Sequence, residues 1–276
     1  MAFTVVTAKN EDDAFDMFEA LNTTGEPLTA YETFKPKVIE GEGVAAYEHS
    51  ESFKYIEDIE DYLDRFKKAE EKQRATSGML VPFALSETGE KIQRKLVDQR
   101  RYLREQFDSQ LESLDDKRQF VYRLSHVAQF MKCIWKNDDP RGIFLNRSDR
   151  LDDRTETSLL AIRDLNHHIV VAPLSRFFGD VLRAKEDDEL RKLKMTELAS
   201  AIQATVAFSI IWRAALGGTA GIDSKYRDVL SEKINGNLGL LAARPKSGVG
   251  SVSLSNYKKA LLHFLEEAGI SKKTSG

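Results

Sequence analysis

Apolar residues recur at helical spacing almost from end to end of this chain, from Glu11 to Ala268, and one stretch alone, Phe3 to Thr7, is patterned like a strand. A chain so written must bury apolar stripes helix against helix. The periodicity predicts helices over 11–21, 30–40, 52–74, 91–111, 115–136, 155–165, 169–184, 194–216, 224–234 and 255–268, with 79–85 a short apolar piece around Pro82. The three-residue connection Glu112 to Leu114 predicts that the helices on either side of it are antiparallel neighbours. An isolated strand is not stable, so Phe3–Thr7 fits the last strand of a sheet encoded upstream. The expected fold is therefore mainly α: a multi-helix bundle with one short N-terminal strand left over from an upstream α/β domain, in a chain cut from a longer protein or split from it.

Composition narrows the setting. A single cysteine, Cys133, excludes an internal disulfide and fits a reducing compartment. The start, MAFTVVTAKN, is not a secretory signal, and the longest apolar run, Ala199 to Leu216, is broken by Gln203, Ser209 and Arg213. No membrane partner and a cytoplasmic location are expected. The net charge of −3 hides an asymmetry, because residues 11–62 hold 15 acidic side chains against Lys35, Lys37 and Lys54, a balance of −12. From residue 63 onward 37 basic residues stand against 29 acidic ones, a balance of +8. Such a division fits an internal contact between the two parts, a polyanion partner for the second, or simply solvated helix faces.

The best-specified local structure is Ala14 to Pro36, AFDMFEALNTTGEPLTAYETFKP. A helical stripe leads into Asn22–Gly25, which tolerate positive φ, and Thr29 with Glu32 writes a capping box for the next helix. Phe18-Glu19, Leu21-Asn22, Gly25 and Leu28 resemble the F-E-x-L-N-x-x-G-x-x-L signature that follows the ParB-like core of GmrSD-type restriction enzymes and SspE-like phage-defence proteins. A second stretch is similar to the helical part of the same proteins: an apolar helix ending in Trp212-Arg213, then Gly218-x-x-x-Ile222-Asp223-x-x-Tyr226-Arg227. The resemblance makes residues 1–45 a remnant of the ParB-like domain, while the polar interruption Asn137 to Arg150 separates long antiparallel helices (46–136) from a second helical bundle (151–268), with a disordered tail (269–276) expected from its composition. It also implies antiviral restriction, with nucleotide use and DNA cleavage in the complete protein.

The motifs that would carry that chemistry are missing. Asp98-Gln99-Arg100-Arg101 imitates the family's D-G-Q-Q-R nucleotide motif but lies within a predicted helix and lacks the glycine that lets backbone approach a ligand. His168-Ile169 imitates the start of the nuclease motif, but Pro173 falls at the wrong distance. Five scattered histidines and one cysteine make no metal-ligand spacing. No catalytic residue is expected in this chain, and no bound cofactor. By resemblance Asn22, Thr24 and Gly25 form half of a nucleotide site whose other half is absent; by local sequence alone the same residues are a helix C-cap. Lys91, Arg94, Lys95, Arg101 and Arg104, with Arg141 and Arg147 as a second group, are the expected phosphate contacts to DNA. The upstream ParB-like domain, or a subunit carrying it, is the expected protein partner. A scaffold that pairs its acidic front with a basic partner and never touches DNA is the competing expectation.

Overall fold

The computed structural model describes residues 28–138, 150–184, 186–230 and 253–270. The expected strand Phe3–Thr7, the first helix, the turn Asn22, Thr24, Gly25, the cations Arg141 and Arg147, and the tail from residue 271 lie outside the described residues. Within them are ten α-helices and no strand, so the mainly-α expectation holds there. They are α1 (Ala30–Glu42), α2 (Glu51–Leu63), α3 (Ala69–Thr88), α4 (Leu96–Arg104), α5 (Leu114–Phe130), α6 (Asp153–Asp164), α7 (Val171–Arg183), α8 (Asp188–Leu216), α9 (Ile222–Leu230) and α10 (Leu254–Glu267). Wider π turns extend α4 through Glu105–Gln110 and α5 through Met131–Trp135.

Local chemistry accounts for most boundaries. The capping box at α1 forms as written: Thr29 Oγ1 accepts the Glu32 N–H at 3.2 Å, and the Glu32 carboxylate accepts the Thr29 N–H at 2.8 Å. Ser50, Ser113, Asp152, Asp187 and Ser253 cap α2, α5, α6, α8 and α10 in the same manner. Two predicted elements are redrawn. The single helix expected over 52–74 breaks after Leu63, where Phe66 turns back to set its ring edge-on to Tyr62 at 5.5 Å and Lys72 ties Asp64 to Glu32. No glycine or proline marks that break; the long-range tie beside it is Lys72 to Glu32 of α1 at 3.0 Å. The apolar piece 79–85 is the second half of α3, which runs through Pro82 to end at Gly89 in the left-handed region, φ 71°. Pro82 has no N–H to offer the Gly78 carbonyl, and helix packing on either side carries the strand of backbone past that gap.

The third correction concerns pairing. The α4–α5 hairpin expected from the short connection is not where α5 finds its main neighbour; the most extensive helix contact is α2 on α5. Tyr55 meets Tyr122 (ring centroids 4.7 Å), Asp58 accepts from Gln129 (2.9 Å), and Asp61 pairs with Lys132. Partners advance together along both helices, so the two run parallel. The acidic front thus meets the chain's own cations, with Glu42 forked on Arg118 at 2.7–2.8 Å and Glu60 on Lys35 at 2.7 Å.

One hydrophobic cluster runs from Ala30 to Leu265. In it α5 contacts α2 on one side and α7 on another, while α8 takes α6, α7 and α10. At the junction of α3, α5 and α7 sits a buried node: Glu87 holds Arg123 through two contacts of 2.8–2.9 Å and Arg176 at 3.0 Å. By length and an 18-residue window of mean hydropathy 1.3, α8 could cross a membrane. Here its inward face, including Leu198, Ile202, Val206 and Phe208, is core.

Candidate functional site

Where α2, α3, the α5 terminus, the α6–α7 junction, α8 and α9 converge they leave an open cleft of about 970 Å³. Its long wall is α3, which lines the cleft along the face marked at three- and four-residue steps by Glu71, Arg74, Gly78, Val81 and Leu85, with Pro82 beside them. Gly89 ends α3 and releases the segment 89–95, which carries Lys91 and Arg94 to the cleft. Lys136, at the end of the π turn, and Arg213 of α8 add two more cations. Against Arg74, Lys91, Arg94, Lys136 and Arg213 stand two carboxylates, Glu71 and Asp223. The cleft is therefore net positive, with an apolar floor that includes Phe66, Met131 and Ile169.

The fold places Arg213 and Asp223 through the turn between α8 and α9. Gly217 caps α8 in the left-handed region (φ 69°), and the Trp212 indole N–H reaches across to the Ala220 carbonyl at 3.1 Å. Trp212 is buried and fixes the turn, while its neighbour Arg213 donates to the Leu165 carbonyl at 3.5 Å and leaves Nε without a partner. Asp223 lies 3.4 Å from His167 Nε2, and that contact, first among several, holds its carboxyl below the usual range. Beyond His167 a buried polar chain continues: Ser209 Oγ at 3.4 Å, Tyr226 Oη 3.0 Å further, then the Thr205 carbonyl, with the Thr205 hydroxyl 2.7 Å from Tyr257 Oη. Asp223, His167 and Ser209 fall in the order of an acyl-transfer triad, yet Ser209 is wholly buried and outside the cleft lining. The chain braces α8, α9 and α10; it does not present a nucleophile.

His168 is the other imidazole of the cleft. Its Nδ1 accepts the Trp135 indole N–H at 3.2 Å, so the neutral ring carries its proton on Nε2 as a donor. Burial, then Lys136 and Arg94 nearby, push its pKa below the ordinary histidine value. Four buried polar atoms on cleft-lining residues have no hydrogen-bond partner: the hydroxyl of fully buried Tyr62, Gln73 Oε1, Arg213 Nε and His167 Nε2, whose 3.4 Å approach to Asp223 is an ion-pair contact and not a hydrogen bond.

The predicted DNA-contacting group is divided by the structure. The sequence placed Lys91, Arg94, Lys95, Arg101 and Arg104 on one helix; α4 starts only at Leu96, because Gly89 ends α3 and buried Gln99 ties itself to the Arg94 carbonyl and to Ser77 Oγ, both at 2.9 Å. Lys91, Arg94 and Lys95 are exposed on the connection. Arg101 pairs with Asp98 one turn earlier, and Arg104 is engaged within the fold. Within the look-alike Asp98–Arg101, Asp98 and Arg101 thus pair with each other, Gln99 holds the start of α4, and Arg100 donates to the Leu28 carbonyl at 2.8 Å. His168, read from sequence as a nuclease look-alike, and Arg213 join Arg74 and Lys136 as residues the fold adds to the cleft. No run of sequence signals that convergence, since the lining comes from seven separated segments.

Cys133 is half-buried, its thiol pKa raised by burial, which makes it a poor nucleophile. Among the described residues no group of three or more His, Cys, Asp or Glu side chains gathers at metal-binding distance. Compared with protein-family models and with curated proteins, the sequence matches none.

Proposed function

We propose that this chain is a phosphate-contacting helical module: the non-catalytic, DNA-contacting part of a GmrSD- or SspE-like antiviral restriction protein, working in the cytoplasm beside a ParB-like domain that handles the nucleotide. The family assignment rests on the resemblance of the 18–28 and 212–227 stretches. The single observation that supports DNA contact is the segment 89–95, where Lys91, Arg94 and Lys95 stand exposed together at the rim of a net-positive cleft. Arg101, about half exposed, lies one short stretch away. The competing scaffold reading required an acidic front in need of a basic partner. Glu32, Glu42 and Asp61 of that front instead engage Lys72, Arg118 and Lys132 of the same chain, which removes part of that need.

Salt dependence tests the proposal. With three or four phosphates engaged, log affinity for duplex DNA should fall with log salt at a slope of roughly −2.7 to −3.6. The double reversal Arg94→Glu/Lys95→Glu should flatten it by roughly 1.8. A slope that ignores that change, or no binding at low salt, returns the role to the scaffold.

A further inference from the structure

The chain enters the described structure at Leu28, and it enters on α4. Arg100 of that helix donates to the Leu28 carbonyl at 2.8 Å, and α1, which starts two residues later, packs along α4. Beside this anchor α4 turns outward a face on which Val97, Arg101 and Arg104 follow at four- and three-residue steps. Val97, one turn before Arg100, is 49% exposed, and Leu28, at the tip of the Arg100 contact, is 44% exposed. Arg101 keeps 52% of its side chain in solvent while it pairs with Asp98. Over residues 95–104 four cations stand against that one carboxylate.

We infer that this face seats the chain's own segment 11–21, EDDAFDMFEAL, and that the seated segment covers cations otherwise offered to DNA. In that sequence Ala14, Phe15, Phe18 and Leu21 recur at helical spacing, with five carboxylates and no cation among the eleven residues. Its apolar stripe matches Leu28 and Val97, and its carboxylates match Lys95, Arg101 and Arg104 around them. Length agrees with charge. Six residues, Asn22 to Pro27, separate Leu21 from Leu28 and span roughly 20–25 Å when extended, whereas α4, at nine residues, is about 13 Å long. A tether so short holds the segment at about millimolar effective concentration, where weak contacts suffice to fill a seat. The masking of cations rests on the DNA reading of Lys95, Arg101 and Arg104; the seat itself rests on the Leu28 anchor, the two exposed apolar side chains and the opposed charge.

Disulfide trapping in the whole chain tests both parts. In Ala14→Cys/Val97→Cys/Cys133→Ser a mild copper oxidant should close a bond within the chain, followed by the mass of the intact protein. The control Ala14→Cys/Val44→Cys/Cys133→Ser should close far more slowly: Val44 is 79% exposed and lies past the far end of α1, about 20 Å along that helix, still within reach of the tethered segment. Adding Asp12→Asn/Asp16→Asn/Glu19→Gln should slow closure at Val97 roughly three- to tenfold, since exposed ion pairs are individually weak. The closed protein should bind duplex DNA roughly tenfold more weakly than the same protein after reduction. In the uncrosslinked chain the three neutralisations should tighten DNA binding more than Glu48→Gln/Glu189→Gln/Glu266→Gln, which removes equal charge from exposed sites elsewhere. Equal closure rates at Val44 and Val97, closure indifferent to the neutralisations, or a bond between chains instead of within one would overturn the seat, the last result giving it to a second copy. A closed chain that binds DNA as tightly as the reduced one would overturn the masking. Absence of DNA binding in every form, with closure at Val97 intact, would sink the DNA reading alone and leave the seat standing.

Discussion

Replacing Glu87 by Leu should be the most damaging single surface-neutral change in this fold. Glu87 stands in the last turn of α3, where a carboxylate faces the negative end of the helix and gains nothing from it. What holds it there is the pair of guanidiniums, Arg123 at 2.8–2.9 Å and Arg176 at 3.0 Å, with side-chain exposures of 3%, 19% and 20% for the three residues. Removing the carboxylate leaves two buried cations facing each other across the junction of α3, α5 and α7. Breaking a buried pair this way costs about 3–5 kcal/mol, against about 0.2–1 kcal/mol for an exposed pair. At about 2–4 °C per kcal/mol the melting temperature should drop by roughly 6–20 °C. Urea unfolding followed by circular dichroism and by tryptophan fluorescence measures the loss. The triple change Glu87→Leu/Arg123→Leu/Arg176→Met removes all three charges and should recover most of it, because apolar groups of similar volume can replace a buried ionic cluster. A single-mutant loss below about 1 kcal/mol, or a triple mutant no more stable than the single, would refute the reasoning.

Two further predictions concern pH and capping. His126 is buried in α5 among Arg183, Arg176 and Arg123, and burial first, then those cations, hold its pKa well below 6.5. The unfolded chain therefore takes up the proton first, so stability should fall as pH drops below about 6.5, at up to about 1.4 kcal/mol per pH unit for this group; His126→Asn should remove that contribution from urea midpoints measured between about pH 5 and 7.5, and an unchanged slope would refute it. Thr29→Ala should cost about 1 kcal/mol, because it removes the side-chain acceptor at the start of α1, and Thr29→Ser should restore most of it; equal stability of wild type and the alanine variant in urea would exclude the cap as a contributor.

What could be read in the sequence was what local chemistry decides. The Thr29–Glu32 box, the stripe of Phe120, Leu124, Val127, Met131 and Ile134, and the helices that follow Asp152 and Ser253 all announce themselves within a few residues. The misreadings fall where distant contacts outrank local signals. Pro82 suggested a boundary that packing overrides, and the break after Leu63 carries no glycine or proline signal, while Lys72 just beyond it reaches Glu32 of α1. The DNA-contacting residues were legible as charge but not as placement, since Gly89 and Gln99 decide where α4 begins. The cleft itself was invisible. Tyr62, Arg94, His168 and Arg213 share no spacing, and only the packing of α3 against α2, α5, α7 and α9 brings them around one cleft.

The parallel seating of α5 on α2 sets an order of events on the ribosome. Between Leu63 and Phe130 the chain must lengthen by 67 residues before the two helices can meet along their full length. At about 5–20 residues per second that interval lasts roughly 3–13 s. During it Ile56, Ile59 and Tyr62, all buried in the finished fold, have no α5 to cover them. An antiparallel hairpin would close as soon as its second helix emerged; here the nascent chain carries an unsealed apolar stripe through the synthesis of α3 and α4. A pause or a rare-codon stretch placed between α4 and α5 should therefore lower soluble yield more than the same pause placed after Trp135.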